Sequence, residues 1–146
     1  MFKIVFLGDP MTGKTAFLNK QFISYSPTLN ANIIAVKYET NYGPVEFTCW
    51  DLGGHDHLCE NRSRYYVCAD ACFIFYNVLI QNTFENVQKW ERDVKKTCGY
   101  LPVFIIGTSG TGLAGLKNHF QLSEGKTEIF LKLAKLLMGQ PDLVFL

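Results

Sequence analysis

The amino-acid sequence predicts an α/β fold built on a doubly wound, mostly parallel sheet. Short apolar segments of strand length recur along the chain, helical patterns separate them, and a glycine-containing loop follows the first of them directly. Such alternation is typical of a sheet that helices cover on both faces. With 146 residues, 48% apolar and 18% charged, we expect one domain over residues 1–146.

Five segments have the length and composition of strands. They are Phe2–Leu7, Ile33–Thr40, Val45–Trp50, Ala71–Asn77 and Val103–Gly107. The turn sequence Asn41-Tyr42-Gly43-Pro44 joins the second segment to the third, which predicts one antiparallel hairpin pair. The remaining segments are apolar throughout, as parallel strands buried on both faces are.

Two amphipathic helices are predicted from apolar residues at helical spacing. The first has Asn82 and Thr83 as its cap, a stripe that starts at Phe84, and an end near Gly99. The second lies near the end of the sequence and stops at Gly139. A shorter helix-compatible segment, residues 16–22, follows the glycine-containing loop.

That loop, Gly8–Thr15, reads Gly-Asp-Pro-Met-Thr-Gly-Lys-Thr and matches the pattern G-x-x-x-x-G-K-[ST]. Between a strand and a helix, this pattern predicts a phosphate site, because backbone N–H groups form a concave nest beside a helix N-terminus. Lys14 supplies a cation, and the Thr15 hydroxyl can bind Mg²⁺. The residues expected to bind phosphate are Gly8, Asp9, Thr12, Gly13, Lys14 and Thr15.

A second element of the same site is predicted where the third strand ends. Asp51 and Gly54 form a D-x-x-G sequence there. An Asp at this edge of a sheet can hold Mg²⁺, usually through water. Gly54 has no Cβ, so its N–H can approach a terminal phosphate closely.

Charge and cysteine usage restrict the possible partners and compartment. A net charge of +1 gives no reason to expect nucleic acid or a membrane surface as partner. No apolar run approaches the roughly 20 residues of a membrane span, and no signal-peptide pattern precedes the first strand. The five cysteines include no C-x-x-C pair. Core thiols in a reducing, intracellular compartment are therefore expected.

Several stretches of the sequence resemble small GTPases of the Ras superfamily, and within it the Ran family of nuclear-transport GTPases. The stretches that carry this resemblance are residues 2–5, 40–47, 64–66, 84–93 and 130–145. Recognisable similarity covers most of residues 2–107 and 117–146. The hairpin sequence Thr40-Asn41-Tyr42-Gly43-Pro44 and the match near the end of the chain are more specific than the phosphate loop.

The resemblance implies a Ras-like P-loop NTPase that binds GTP and GDP with Mg²⁺ and hydrolyses GTP. It implies that Thr15, Thr28 and Asp51 hold Mg²⁺, and that Thr28 and Gly54 also face the nucleotide. His55 stands where most of the superfamily has the water-positioning Gln, and some translational and vesicle-coat GTPases resemble this chain in having D-x-x-G-H. It would orient the attacking water, with Lys14 stabilising the reacting phosphate. Nuclear transport receptors and GTPase regulators would be the protein partners, and the protein would occupy nucleus and cytoplasm.

The sequence departs from that family where the family reads the guanine base. Thr108-Ser109-Gly110-Thr111 stands in place of Asn-Lys-x-Asp, and only a short Gly-rich stretch follows, so the fold is shortened after the fifth strand. In the loop, Pro10 and Met11 replace glycines, and Pro10 has no N–H to donate. An alternative reading is therefore a non-enzymatic pseudo-GTPase, an interaction module with weak or base-unselective nucleotide binding. Another P-loop NTPase with a different base is a third option.

Overall fold

The computed structural model describes residues 1–17, 24–26, 31–51, 63–108, 119–121 and 125–146. In this part of the chain seven strands form one sheet, in the order β2-β3-β4-β1-β5-β6-β7. The strands are β1 Phe2–Gly8, β2 Ser24–Ser26, β3 Ala31–Thr40, β4 Gly43–Asp51, β5 Ala71–Asn77, β6 Val103–Thr108 and β7 His119–Gln121.

The pairing of the strands confirms the predicted doubly wound sheet. β1 lies between β4 and β5 and is parallel to both, and β6 and β7 continue the parallel part. β3 and β4 form the predicted antiparallel hairpin. The short strand β2 adds a second antiparallel pairing, to β3. The sequence reading missed β2 and β7 because three residues are too few to show a periodicity.

Helices flank the sheet on both faces. The described ones are α1 Lys14–Phe17, α2 Ser63–Tyr66, α3 Gln81–Glu85, α4 Val87–Cys98 and α5 Lys126–Met138. As predicted, α5 ends at Gly139, which has left-handed backbone angles (φ 65°). None of these helices is long and apolar enough to cross a membrane.

Alternate residues of the central strands point into two separate cores, as strands covered on both faces require. Ile4 and Phe6 of β1 lie in the first core, with buried residues of α5 such as Phe130. Val5 and Leu7 lie in the second core, which includes side chains from α2 and α4. The prediction of core thiols is right for Cys49 and Cys72, which are buried, and wrong for Cys68, which is exposed.

The predicted single helix capped by Asn82 and Thr83 is wrong. The chain forms two helices instead, α3 and α4, which meet at Asn86. Thr83 is inside α3, where its hydroxyl lies 2.7 Å from the carbonyl oxygen of Ile80 and accepts from the Asn77 N–H at 2.9 Å. Phe84 is 36% exposed rather than part of a buried stripe. The ring of Phe84 packs edge-on against Tyr76 at the end of β5, with centroids 5.0 Å apart.

Candidate phosphate-binding site

The sheet brings the ends of four parallel strands to one edge. Gly8 ends β1, Asp51 ends β4, Asn77 ends β5 and Thr108 ends β6. The strand order reverses at β1, which has β4 on one side and β5 on the other. The loop after Gly8 therefore lies at the topological switch point of the sheet. Ligands of doubly wound sheets bind in the crevice at this position.

The loop from Gly8 to Lys14 has a backbone that only a few residue types adopt readily. Gly8 has φ +140°, Gly13 has φ +82°, and the non-glycine residue Met11 has φ +64°. A Cβ on Gly8 would collide with the carbonyl oxygen of Phe75 on β5. The glycine pattern found in the sequence therefore serves a close strand contact at Gly8 and a left-handed turn at Gly13.

Lys14 opens α1 and turns its side chain back into the loop. Its Nζ donates to the carbonyl oxygen of Gly8 at 2.6 Å and to that of Asp9 at 3.1 Å. The residue is only 5% exposed. A positive charge is therefore held within the loop, next to the N-terminus of a helix, and both features favour an anion.

Two of the predicted phosphate ligands point elsewhere with their side chains. The carboxylate of Asp9 accepts hydrogen bonds from Asn86 Nδ2 at 2.6 Å and from Trp90 Nε1 at 3.0 Å. The hydroxyl of Thr12 donates to the carbonyl oxygen of Asp9 at 2.8 Å. Asp9 fastens the loop to α4, and Thr12 closes the loop on itself, so only their backbone groups remain as candidates for contact with phosphate.

Asp51 is where the sequence placed it, at the end of β4. It is fully buried and lies opposite Phe6 of β1 and Asn32 of β3 in the strand register. A buried carboxylate at this edge fits a role beside a cation. Within the described residues, no group of three or more His, Cys, Asp or Glu side chains could hold a metal ion on its own.

The other predicted site residues are outside the part of the chain that the structure describes. They are Thr28, Gly54, His55 and the side chain of Thr15. The structure brings together Gly8, Asp9, Thr12, Gly13 and Lys14 in one loop, with Asp51 at the same edge of the sheet.

Four residues that hold this loop were not identified as site residues from the sequence. They are Asn77, Asn86, Trp90 and Thr108. Asn77 Nδ2 lies 3.4 Å from the carbonyl oxygen of Met11. For Asn77 and Thr108 the available signal was a polar residue at the end of a strand, β5 or β6, because strand ends meet at one edge.

A groove of about 710 Å³ lies beside the junction of the loop and α4. It is lined by Asp9, Pro10, Asn86, Lys89, Trp90, Arg92, Asp93 and Lys96. Both carboxylates are hydrogen-bonded: Asp9 as described above, and Asp93 to the hydroxyl of Tyr66 at 2.6 Å. Three basic side chains, Lys89, Arg92 and Lys96, face these two carboxylates in the groove, so its lining has a small positive net charge.

Comparison with known protein families gives a match over most of the chain. A model of the Ras family matches residues 3–128. The match includes the whole Gly8–Lys14 loop, Asp51 and the four strand ends that form the edge described above.

Proposed function

This chain belongs to the Ras family of small GTP-binding proteins, and from that premise we propose that its Gly8–Thr15 loop binds the phosphates of a nucleotide. Members of the family bind guanine nucleotide, generally with Mg²⁺. The observation that carries the proposal is the position of Lys14, whose ammonium group is buried inside the loop against the carbonyl oxygens of Gly8 and Asp9. Nothing in an ordinary strand–turn–helix requires a buried cation there.

The Mg²⁺ would be held by Thr15, Thr28 and Asp51 and would neutralise phosphate charge. For Asp51, the supporting observation is that it is buried at the carboxyl end of β4, at the same edge of the sheet as the loop. The roles of Thr15 and Thr28 rest on their places in the sequence pattern.

We propose GTP hydrolysis as the reaction, with His55 orienting the attacking water and Lys14 stabilising charge on the transferred phosphoryl group. Substitution of His55 by Leu should reduce single-turnover GTP hydrolysis and leave nucleotide affinity nearly unchanged. If the rate does not change, His55 has no catalytic role. If the wild-type protein shows no hydrolysis at all, it is a binding protein and not an enzyme.

Base selectivity should be low, because Thr108-Ser109-Gly110-Thr111 contains no carboxylate to accept the two hydrogen bonds of guanine. Each hydrogen bond to a charged group contributes about 1.5–3 kcal/mol. We expect GTP affinity well below that of a small GTPase with the complete motif, and a GTP-over-ATP preference within about tenfold, or 1.4 kcal/mol.

Competition of labelled GTP against ATP at saturating Mg²⁺ measures this preference directly. A strong preference for GTP would show that another group reads the base, with residues 123–125 as the first candidate and Ser109 as the second. Absence of binding by either nucleotide would remove the nucleotide-binding proposal and leave the interaction-module alternative.

A role like that of Ran in nuclear transport is the finer proposal, and contacts between two segments of the chain support it. The two stretches that most specifically resemble the Ran family contact each other: the hydroxyl of Tyr42 in the hairpin donates to Asp142 Oδ1 at 2.6 Å. The ring of Phe145 also stacks on Tyr38 of β3, just before the hairpin sequence, with centroids 4.1 Å apart and planes at 7°. Next to the stack, the hairpin residue Thr40 pairs with Phe145 as an isolated β-bridge, and the Leu146 N–H donates to the carbonyl oxygen of Glu39 at 2.9 Å. The hairpin and the last residues of the chain, which both resemble the Ran family, therefore form one structural unit.

By this proposal the partners are nuclear transport receptors and GTPase regulators, and the protein occupies nucleus and cytoplasm. Binding of the GTP-loaded and the GDP-loaded protein to a purified import receptor tests it. Preference for the GTP form would support the transport role, and equal or absent binding of both forms would reject it.

The pseudo-GTPase alternative is favoured by specific observations at the same site. Pro10 has no N–H to offer a phosphate, and the hydroxyl of Thr12 is directed at the loop itself. The buried Lys14 and the intact strand edge oppose this alternative. Nucleotide that copurifies with the protein, and the identity of its base, would distinguish the two readings.

A further inference from the structure

Thr108, the last residue of β6, contacts the phosphate loop with both branches of its side chain. Its Oγ1 lies 3.0 Å from the carbonyl oxygen of Thr12 and 3.0 Å from that of Tyr76 on β5. Its methyl carbon, Cγ2, faces Gly13: a Cβ built on Gly13 would lie 3.4 Å from it. Thr108 is 4% exposed, so these contacts are shielded from water.

The main chain of Thr108 is fixed as well. It pairs with Asn77 in the register between β5 and β6, and its carbonyl oxygen accepts the N–H of Val78 at 3.0 Å. A β-branched side chain on a strand has few allowed rotamers. The sheet therefore fixes the directions of the hydroxyl and methyl groups, and these two groups in turn fix the position of the loop.

We propose that Thr108 is a positioning residue for the phosphate loop: it holds the turn at Thr12 and Gly13 and so determines where Lys14 leaves the loop. From the sequence alone, Thr108 is only the first residue of the segment that replaces the base-recognition motif. The structure gives it a separate task, directed at the phosphate end of the nucleotide and independent of the base. The inference about nucleotide affinity rests on the proposed function; the inference about loop geometry does not.

The hydroxyl and the methyl group make different contributions. The hydroxyl has one proton, which it shares between the carbonyl oxygens of Thr12 and Tyr76. Its removal takes this donor from a site that is shielded from water, and the loss of a buried donor is costly. Without the methyl group, Gly13 loses one van der Waals neighbour. The hydroxyl should therefore matter more, and serine should replace threonine better than valine does.

The test compares Thr108→Val, Thr108→Ala and Thr108→Ser with the wild-type protein. Titration with Mg²⁺–GTP and with inorganic tripolyphosphate should show affinity about tenfold lower for the valine and alanine variants. The serine variant should stay within about twofold of wild type. Because tripolyphosphate has no base, an equal loss for both ligands would locate the effect at the phosphates.

Thr48→Val is the matched control. The hydroxyl of Thr48 also donates across neighbouring strands, to the carbonyl oxygen of Phe2 at 3.3 Å, but at the opposite end of β1 from the loop. This variant should bind both ligands as the wild type does. If it loses affinity to the same degree as Thr108→Val, the effect is one of general stability and the proposal is wrong.

Hydrogen–deuterium exchange of residues 12–17 in the nucleotide-free protein tests the loop geometry without any ligand. Faster exchange in Thr108→Val, with the wild-type rate in Thr108→Ser, supports the role of Thr108 as a positioning residue. This holds even if the wild type binds no nucleotide, in which case only the proposed function fails. Unchanged exchange together with unchanged affinity overturns the proposal. If Thr108→Val does not fold, Thr108→Ala carries the same predictions.

Discussion

Asp9 in the phosphate loop and Trp90 in α4 are joined by a hydrogen bond in which the indole Nε1 donates to a carboxylate oxygen over 3.0 Å. Asn86 donates to the other oxygen of the same carboxylate at 2.6 Å. The first half of the loop is therefore anchored to a helix on one face of the sheet. The second half, at Thr12, is anchored to the sheet itself through Thr108. A loop fixed at both halves needs little reorganisation when an anion binds.

Removal of the Asp9 carboxylate should loosen the loop and destabilise the protein. Asp9→Ala breaks two charge-assisted hydrogen bonds, because it removes the carboxylate that accepts from Asn86 Nδ2 and from Trp90 Nε1. We expect a loss of about 1–2 kcal/mol in the free energy of unfolding, at the lower end for such bonds because the site is partly exposed. Urea denaturation measures it.

A tryptophan reporter makes the same variant more informative. The chain has two tryptophans, so Trp50→Phe leaves Trp90 as the only indole. In that background, Asp9→Ala should change the Trp90 emission spectrum, because the acceptor of its Nε1–H is gone. An unchanged spectrum and an unchanged unfolding midpoint would show that the Asp9 anchor does not form in solution.

Lys14→Ala should abolish most nucleotide affinity. The side chain carries the positive charge inside the loop, and we expect the dissociation constant for Mg²⁺–GTP to rise about 100-fold, the equivalent of a strong charge-assisted interaction. Lys37→Ala is the control, because Lys37 is an exposed residue of β3 paired with Glu46 on the hairpin. Equal affinities of wild type and Lys14→Ala in titration calorimetry would contradict the site assignment.

Local features of this chain follow from its sequence, and features that depend on distant residues do not. The loop, its strand and the position of Asp51 were predictable, because glycine spacing and apolar runs report local backbone requirements. The side-chain directions of Asp9 and Thr12 were not predictable, since they depend on partners supplied by distant elements such as Trp90. The motif pattern placed both residues in a nest of backbone N–H groups, and it does not report that their side chains hold the loop framework.

The same distinction explains the error between β5 and α4. The apolar periodicity of α4 was correctly recognised, but the cap at Asn82 and Thr83 was wrong. Thr83 meets the criteria for a cap in sequence, yet its hydroxyl bonds within its own turn and to the end of β5. A cap and an internal bond use the same residue type, and only the position of the neighbouring strand decides between them.

Thiol reactivity should report the two cores of the sheet. Burial raises the pKa of the Cys49 thiol and raises that of Cys72 well above its usual value, so neither forms the reactive thiolate at neutral pH. Cys68 is exposed. Brief treatment of the folded protein with iodoacetamide, followed by peptide mass spectrometry, should modify Cys68 and leave Cys49 and Cys72 intact. In urea all three should react, and rapid modification of Cys49 or Cys72 without denaturant would contradict the packing of its core.

Met11 offers a way to stabilise the loop without touching its contacts. This residue has φ +64° and its side chain is 83% exposed, so the fold gains little from the side chain and bears the strain of a left-handed backbone. Glycine at this position removes a backbone strain of about 1–2 kcal/mol. Its greater chain entropy in the unfolded state costs about 0.5–1 kcal/mol. We therefore expect Met11→Gly to raise the free energy of unfolding by about 0.5–1 kcal/mol. Cys68→Gly, at the other non-glycine residue with positive φ in the described chain (φ +61°), should give a similar gain far from the loop. A gain in Cys68→Gly but a loss in Met11→Gly would show that the Met11 side chain makes a contact in solution that stabilises the loop.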